Sequence, residues 1–442
     1  MKTLWTGVNN QRIGLTRRWA AQNFSMSLTL ENQTVNTAFF QPLTGLAAAS
    51  PHARACPEFP DADYLAGGVL RVLETSASGR AFLQEHGPRL AHPPTPANYF
   101  VTLHSPRRQA LLAGVNLALL ATANRTLPDR LAAIPELASY ECFAADGHWH
   151  HAAAHDPRHH GAKLAVGHFY SLNLRTQTLR HLAAGEGWHE HDMNALKRIK
   201  PKGLRQDVPK GRRVLLIYDK AGIDFDYWKR CRQECAVYFL SRAKENQVLE
   251  WVESTTWDRT DPRHHGVVED MRVKTRADHA LRLICYVDPV TGKAYEFLTN
   301  EPDLPPGVLV ELYRRRWDIE KVFDALKNKL GQTKAWATSL GARATQAQFL
   351  MLTHNLLLLY EQVLEERHGV VNHGEDQRRQ QRLMQMVAVV AQAKESLSTL
   401  RRQARQATQY SVKFLRWLRA AIRDQLAEVP AVLRLKALYA TL

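Results

Sequence analysis

The chain has 442 residues, of which 45% are hydrophobic and 23% are charged. These fractions match globular proteins and exclude a mainly disordered chain, and the length predicts about three domains. Lys and Arg total 59 against 43 for Asp and Glu, a formal net charge of +16. This excess predicts a polyanionic partner, with nucleic acid favoured over an anionic membrane. No apolar run approaches the ~20 residues of a membrane span, and no signal-peptide pattern is present, so we expect a cytoplasmic protein without a membrane partner.

The first 135 residues alternate helical stretches with proline-rich breaks. Helices are predicted at Tyr64–His86 and Ser105–Asn124 from the spacing of their apolar residues. Small helical units on a basic chain suit contact with DNA, although no pattern of a turn followed by a recognition helix is clear. We interpret residues 1–135 as a helical region that binds DNA ends.

The residue pattern changes from helical to strand-like within residues 136–244. This pattern predicts a series of secondary-structure elements that begins with three strands. A short helix, a buried strand, a second helix and another buried strand follow, and the predicted ranges are 140–145, 164–174, 178–183, 191–199, 214–218, 225–235 and 236–241. This order is that of a ribonuclease-H-like core, a mixed sheet flanked by helices. The predicted fold class is therefore α/β, with helical regions at both ends of the chain.

Residues 245–300 interrupt that core with four strand-like segments and form a predicted β-rich insertion. The segments are 249–257, 267–274, 281–287 and 294–298. Helices return at 306–329 and 342–367, so residues 301–368 are predicted to be the second part of the core. Residues 369–442 are predicted to form a helical C-terminal region.

The segment 311–331 carries polar side chains along one edge of a predicted helix. At 100° per residue, four of them share an arc of about 60°: Tyr313, Arg316, Glu320 and Lys327. An apolar stripe lies beside this arc, formed by Leu312, Ile319, Phe323, Leu326 and Leu330. A solvated helix with charge pairs explains any single pair such as Arg316–Glu320. A site that handles phosphate explains the whole set, because the carboxylate can hold a metal while the guanidinium, ammonium and phenol bind phosphate oxygens.

One carboxylate cannot hold two divalent metals, so we expect further ligands at the ends of central strands. Asp146 and Asp219 each directly follow a predicted strand, and each stands close to a glycine that lets a substrate backbone approach. For either residue alone, a turn or cap role is an equally good interpretation. Asp224 and Asp226 are better explained as caps of the following helix. Asp156 is a weaker alternative, because it lies in a predicted loop.

The polar residues of this predicted helix resemble the sequence motif of a known protein family. DDE transposases of the insertion-sequence-four type carry a signature of a tyrosine, an arginine, a glutamate and a lysine, which are separated by two, three and six residues. The match in this chain is made by Tyr313, Arg316, Glu320 and Lys327. FAADGH and LLIYDKAG resemble the regions of the family's first and second catalytic aspartates, which would be Asp146 and Asp219. The resemblance covers residues 139–360, approximately.

This resemblance implies a ribonuclease-H-like catalytic domain, an insertion before the glutamate helix, and cut-and-paste transposition. Asp146, Asp219 and Glu320 would be the catalytic residues and would hold Mg²⁺, for which Mn²⁺ can substitute. The implied partners are double-stranded DNA with terminal inverted repeats, target DNA and a second copy of the chain in a synaptic complex. The protein would then be bacterial and associated with the nucleoid.

Further residues near the predicted site are expected to contact DNA. The predicted phosphate-binding residues are Tyr313, Arg316, Lys327, Lys220, Arg242 and Lys244. Trp251 and Trp257 lie in the insertion, where core packing is the default for tryptophan and the family would let one of them stack a flipped base. Six histidines crowd the residues after the first aspartate: His148, His150, His151, His155, His159 and His160. Metal ligation is one interpretation, but we favour polar surface at the rim of the site.

Two other functions remain open from the sequence. A structure-specific nuclease on the same core would need no region for recognising DNA ends. A domesticated DNA-binding protein with an inactive site is the second alternative, and the complete set of acidic residues argues against it.

Overall fold

The computed structural model describes residues 33–75, 78–151, 165–185, 190, 192–205, 207–289, 291–370 and 409–440. Its α-helices are α1 (Val35–Ala49), α2 (Asp61–Leu73), α3 (Gly79–His86), α4 (Pro96–Thr102), α5 (Pro106–Thr126), α6 (Asp192–Arg198), α7 (Pro201–Leu204), α8 (Phe225–Cys235), α9 (Pro306–Arg315), α10 (Trp317–Asp324), α11 (Leu340–His368), α12 (Gln409–Arg423) and α13 (Glu428–Ala440). Within these ranges, no helix is long and apolar enough to cross a membrane.

The strands form one mixed sheet. They are β1 (Tyr140–His151), β2 (Ala165–Asn173), β3 (Leu179–Ala184), β4 (Arg213–Ile217), β5 (Val237–Arg242), β6 (Leu249–Ser254), β7 (Val267–Thr275), β8 (Ala280–Val287) and β9 (Ala294–Thr299). Their order is β3-β2-β1-β4-β5-β9-β8-β7-β6. β1, β2 and β3 are antiparallel, whereas β4 and β5 run parallel to β1. The predicted order of three strands, helix, strand, helix and strand is confirmed, and the fold is mixed α/β with helices at its flanks.

The predicted insertion extends the sheet, where the sequence predicted an interruption of the core. β9 pairs antiparallel with β5 through Leu240↔Thr299, and β8, β7 and β6 follow outward. Phe297 and Leu298 of β9 are buried, so this strand adds its own apolar side chains to the core beside β5. The outermost strand, β6, is mostly exposed.

Side chains alternate along the strands and supply two separate cores, one on each face of the sheet. On one face, Ala144, Tyr170 and Ile217 belong to the same apolar cluster as residues of α9, α10 and α11. On the other face, Phe143 and Leu216 pack in a cluster with residues of α8. The helices that follow the insertion therefore cover only the first face.

The terminal helices share the core of the first face. Apolar residues of α1, α2, α5, α12 and α13 lie in the same cluster as those of α9 to α11. The N–H of Val35 donates to the carbonyl of Leu426, and the N–H of Glu428 donates to the carbonyl of Gln33, which joins the two ends of the described chain. The domain boundaries near 135 and 369 stay predictions, and the helices on both sides of them form one packed unit.

Two elements differ from prediction in ways that affect the site. β1 continues to His151 because it pairs with β2 as far as His151↔Ala165, so Asp146 lies within the strand and does not follow it. The predicted helix 306–329 consists of α9, a turn at Arg316, α10 and a π-helical segment, Ala325–Lys329. Below, these three helical segments together are called the glutamate helix. Its predicted apolar stripe is buried throughout.

Candidate active site

The two predicted aspartates lie at the same level of two neighbouring parallel strands. The last pair between β1 and β4 is Ala144↔Ile217. Asp146 and Asp219 are each the second residue beyond this pair, so the alternation of side chains directs both toward the face that the glutamate helix covers. Adjacent strands are about 4.8 Å apart. The sheet therefore brings together two carboxylates that are 73 positions apart in the sequence.

Backbone N–H groups orient both aspartates. Asp219 Oδ1 accepts the N–H of Ala221 at 2.7 Å, and Asp146 Oδ1 accepts the N–H of Gly147 at 2.8 Å. The cap role considered for Asp219 is thus present, because the residue begins the turn 220–222. A capping bond of this kind fixes one carboxylate oxygen and the direction of the other.

Arg316 connects the glutamate helix to β1. Its Nη2 donates to Glu320 Oε1 at 2.7 Å, and its Nη1 donates to Asp146 Oδ2 at 3.3 Å. Only 6% of Arg316 is exposed, so this is not the solvated charge pair that a surface helix would carry. One guanidinium therefore bridges carboxylates from two different elements. Asp146, Asp219 and Glu320 are called the carboxylate cluster below.

The carboxylates of the cluster interact electrostatically. Burial raises the pKa of Asp146 to about 6, and the nearby charges of Asp219 and Glu320 raise it as well, whereas Arg316 and the Gly147 N–H act in the opposite direction. Two negative charges close to a buried carboxyl are an arrangement that a divalent cation relieves. The cluster is thus an acidic site that favours positive charge.

The other polar residues of the predicted arc surround the cluster. Tyr313 is buried; burial raises the pKa of its phenol, while Arg316 and Arg242 oppose that rise. Burial lowers the pKa of Lys327, and the charge of Asp146 raises it. Lys327 lies in the π-helical segment, where hydrogen bonds join residues five apart, and such segments are frequent at functional sites. The structure therefore groups the predicted tyrosine, arginine, glutamate and lysine around the two aspartates of the carboxylate cluster.

Carboxylate oxygens are the ligands that Mg²⁺ and Mn²⁺ prefer. Among the residues that the structure describes, no three acidic, histidine or cysteine side chains are already gathered as a metal-binding group. The guanidinium of Arg316 occupies the position between Asp146 and Glu320 instead. The donor chemistry fits a hard divalent cation, and its binding requires these two carboxylates to turn away from Arg316.

The remaining predicted DNA contacts lie around the same strand ends. Lys220 is exposed in the turn after Asp219. Arg242 ends β5, with its guanidinium 5.2 Å from the ring centroid of Tyr295. Lys244 is half-buried two residues further on. Their contacts with phosphate stay predictions.

The tryptophans of the insertion differ from each other. Trp251 is 64% exposed on the outermost strand, so core packing is the wrong interpretation for it. Trp257 is half-buried, with the guanidinium of Arg259 at 4.9 Å from its ring centroid. Stacking of a base on either ring stays a prediction.

The competing aspartates have other partners. Asp224 Oδ1 accepts the N–H of Tyr227 at 2.9 Å and caps α8, as predicted. Asp226 lies in the first turn of α8, and its Oδ1 is 2.9 Å from His279 Nε2. Asp156 lies outside the described residues.

The predicted polar surface of histidines is wrong for two of its members. His148 and His150 are fully buried, and His151 is exposed. The longer course of β1 explains the error, because residues 148 and 150 stay on the face that the glutamate helix covers. The other three predicted histidines, His155, His159 and His160, lie outside the described residues.

Residues 138–356 match the family described as the transposase DDE domain. This stretch contains the whole carboxylate cluster and the glutamate helix, and the match supports a DDE transposase. No curated protein matches the chain. A solved structure of the piggyBac transposase synaptic complex with hairpin DNA is similar over 75% of each chain, with 11% sequence identity and a TM-score of 0.33. A similarity at that level establishes neither fold nor function.

Proposed function

We propose that this chain is the transposase of a bacterial insertion sequence and acts by cut-and-paste at terminal inverted repeats. The observation that carries the proposal is the grouping of Asp146, Asp219 and Glu320, from β1, the end of β4 and the glutamate helix, with Arg316 between two of them. The match of residues 138–356 to a transposase DDE domain supports the same function.

We propose further that the catalytic core is ribonuclease-H-like. Support comes from the strand order β3-β2-β1-β4-β5, in which three antiparallel strands are followed by two parallel ones. The helix α8 connects β4 to β5. In this proposal β6 to β9 are the insertion that precedes the glutamate helix.

Asp146, Asp219 and Glu320 would hold Mg²⁺ or Mn²⁺. When bound, two such ions supply an activated water and stabilise the leaving oxygen in phosphodiester hydrolysis. The three carboxylates come from elements that one packed core holds in place, which restricts their motion when Arg316 is released. The backbone N–H bonds to Asp146 and Asp219 leave one oxygen of each carboxylate to face a ligand.

Arg316, Tyr313 and Lys327 would hold the phosphate beside the scissile bond. The guanidinium of Arg316 is a planar fork that can bind two phosphate oxygens, and it stays charged at any working pH. Tyr313, which interacts electrostatically with Asp219, and Lys327, which does so with Asp146, would each add a single donor. Substrate binding would transfer Arg316 from its carboxylate partners to the phosphate.

The proposed partners are inverted-repeat DNA, target DNA and a second copy of the chain in the synaptic complex. The net charge of +16 supports a nucleic-acid partner. Lys220, Arg242 and Lys244 would track the phosphate backbone beside the carboxylate cluster. Recognition of the DNA ends is assigned to residues 1–135, because base readout needs a surface apart from the catalytic one. Such a protein would act at the bacterial nucleoid.

An excision assay tests the proposal. A donor plasmid carries the inverted repeats that flank the gene, and wild-type protein with Mg²⁺ should release the intervening DNA, whereas Asp219→Asn should not. Asp226→Asn is the matched control, because Asp226 lies seven residues further on, its side chain is 93% exposed, and it is outside the cluster. Equal excision by wild type and Asp219→Asn would contradict the assignment. Cleavage without preference for the repeats would favour the structure-specific nuclease.

A further inference from the structure

A second basic surface lies at the other ends of the central strands, away from the carboxylate cluster. It lines a cavity of about 660 Å³ that is formed where β4 begins, beside α7 and the last turn of α8. Five cationic side chains line this cavity and are called the basic patch below: Lys202, Arg205, Arg212, Arg213 and Arg232. The lining of the cavity therefore favours an anion.

Carboxylates compensate part of the charge of the basic patch. Glu141 forms an ion pair with Arg212, and Asp303 forms one with Arg213 at 2.8 Å. Both of these acids lie outside the lining of the cavity, whereas Glu234 belongs to it. Five positive charges therefore stand against three negative ones, and the patch keeps an excess of positive charge.

The other three cations of the patch form no ion pair with any carboxylate that the structure describes. Arg205 is half-buried and donates to the carbonyl of Cys235 at 3.0 Å, at the end of α8. Cations stabilise the C-terminal end of a helix, which explains Arg205. Lys202 and Arg232 are exposed, and the guanidinium of Arg232 lies 5.6 Å from the ring centroid of Tyr238. These two side chains are therefore available to a ligand.

Basic residues continue beyond the cavity. The segment 197–213 contains eight Lys and Arg and a single acid, Asp207. Lys200 and Lys210 of this segment are exposed, and so is Lys229 of α8. A small anion needs only the cavity, whereas cations along an extended surface suit the repeated phosphates of a nucleic-acid backbone. The arrangement thus favours DNA over a small anion.

The basic patch and the carboxylate cluster lie at opposite ends of the same strand. Arg213 begins β4, and Asp219 follows its end. Six residues at about 3.3 Å each place them about 20 Å apart. They also belong to different faces, because Asp219 is directed toward the glutamate helix and α8 packs on the other face. DNA is stiff over about 150 bp, so a straight duplex at the carboxylate cluster does not reach the patch.

We propose that the basic patch binds the phosphate backbone of a second duplex segment, separate from the segment whose scissile bond lies at the carboxylate cluster. The inference rests on the proposed function, in which strand joining brings two DNA segments to one protein. Contacts with phosphate position a duplex and carry no sequence information. Binding at the patch should therefore be independent of sequence and should weaken as the salt concentration rises.

Acetylation of lysines in the full chain, measured by mass spectrometry, tests the site. A first duplex that carries one inverted repeat is bound in an amount equal to the chain, and a second duplex of unrelated sequence is then added in excess. The first duplex should protect Lys220 and Lys244, and only the second should protect Lys202. Lys436 of α13 should stay reactive throughout. A Lys202 that stays reactive with the second duplex, or that the first duplex already protects, would overturn the proposal.

The failure of this inference and that of the proposed function give different results. Protection of Lys220 and Lys244 with a reactive Lys202 contradicts only the second segment, whereas three reactive lysines would overturn both proposals. Inorganic pyrophosphate is the probe for a small anion. Protection of Lys202 by pyrophosphate but not by the second duplex would indicate a small-anion site and would overturn the proposal.

A double variant and its matched control test the charges of the patch. Lys202→Gln with Arg232→Gln removes two exposed cations, so affinity for the second duplex should fall by about tenfold, and the slope of log affinity against log salt should decrease by about two. Arg434→Gln with Lys436→Gln removes two exposed cations from α13 and should change neither quantity. Protection of Lys220 by the first duplex shows that each variant is folded. Equal affinity and salt slope for the wild type and the patch variant would overturn the proposal.

Discussion

Two neighbouring positions on one face of the sheet show that burial has opposite effects on the pKa of an acid and of a base. Asp146 and His148 are two residues apart on β1 and lie under the same helix. Burial raises the pKa of Asp146 to about 6 and lowers that of His148 well below its ordinary value. In both cases the charged form is disfavoured. The acid, however, has Arg316 and a backbone N–H as partners, whereas the histidine ring has none.

The carboxylate cluster and the buried histidine beside it therefore differ in kind. The carboxylate cluster holds oxygen ligands whose like charges favour a hard cation, and Arg316 supplies the positive charge in the structure. The glutamate helix covers both positions. Glu320 is bonded to Arg316, which also contacts Asp146, and Phe323 packs against His148. Changes at either position thus test whether the two act separately.

The largest effect is expected at the carboxylate cluster. Asp146→Ala, Asp219→Ala and Glu320→Ala should each reduce DNA cleavage by on the order of 10³-fold or more, because metal positioning is removed. DNA binding should stay within a few-fold, since the phosphate contacts remain. A gel-shift assay beside the cleavage assay separates the two quantities. Near-wild-type cutting by Asp219→Ala would show that the assignment is wrong.

Removing the ring of Phe323, which packs against His148 and Tyr170, should destabilise the fold. Phe323→Ala deletes a buried side chain between His148 and Tyr170, and its free energy of unfolding should fall by about 3–5 kcal/mol. Phe323→Leu, which keeps much of the volume, is the matched variant and should lose less. Urea unfolding measures both. A loss below about 1 kcal/mol for the alanine variant would show that the helix does not depend on this contact.

Arg316→Lys should affect catalysis by an intermediate amount. The charge is kept but the planar fork is lost, so strand joining should fall by roughly 10- to 100-fold, more than first-strand nicking does. The affinity for Mn²⁺, measured by titration of the DNA complex, should stay within a few-fold of wild type. A large loss of Mn²⁺ binding with DNA still in position would instead place Arg316 in support of the metal ligands, and the phosphate role would be wrong.

Periodicity predicted the parts of this fold that depend on local pattern. The strands of the core and the buried stripe of the glutamate helix follow from alternation and helical spacing, which residues near in sequence determine. The grouping of Asp146 with Arg316 needed a further inference, because 170 positions separate them. The family signature suggested that grouping, and the geometry of parallel strands explains it.

Sequence reasoning missed what depends on pairing partners. The end of β1 was predicted six residues early, because the local pattern alone does not show the pairing with β2 that prolongs the strand. That error turned two buried histidines into predicted surface. The buried His168 and His181 lie on other strands of the same face, so only the register of the sheet relates them to β1. The alternation of His148 and His150 was the signal available.

The exposed tryptophan of the insertion tests whether the outer sheet contributes to function. Trp251→Ala should leave the free energy of unfolding within about 0.5 kcal/mol, because the ring is mostly exposed. If Trp251 stacks a flipped base, cleavage or hairpin steps should fall by about tenfold, since stacking on an aromatic ring contributes roughly 1–3 kcal/mol per base. Trp257→Ala is the paired variant. Unchanged activity in both would remove base stacking from the proposal.

The smallest expected effect concerns the charge on Asp146 and is read from the melting temperature. Its pKa in the folded chain, about 6, is above the ordinary value of 3.8. The protonated carboxyl therefore favours folding, a contribution that is complete below pH 3.8 and is lost as the pH rises through about 6. Asp146→Asn, which mimics the neutral form, should raise the melting temperature of metal-free protein at pH 7.5 by a few degrees at most and should have a smaller effect at pH 5. Asp278→Asn, at an exposed aspartate with positive φ that asparagine tolerates, should change neither value. A lower melting temperature for Asp146→Asn at pH 7.5 would mean that its bond to Arg316 outweighs the cost of burying the charge.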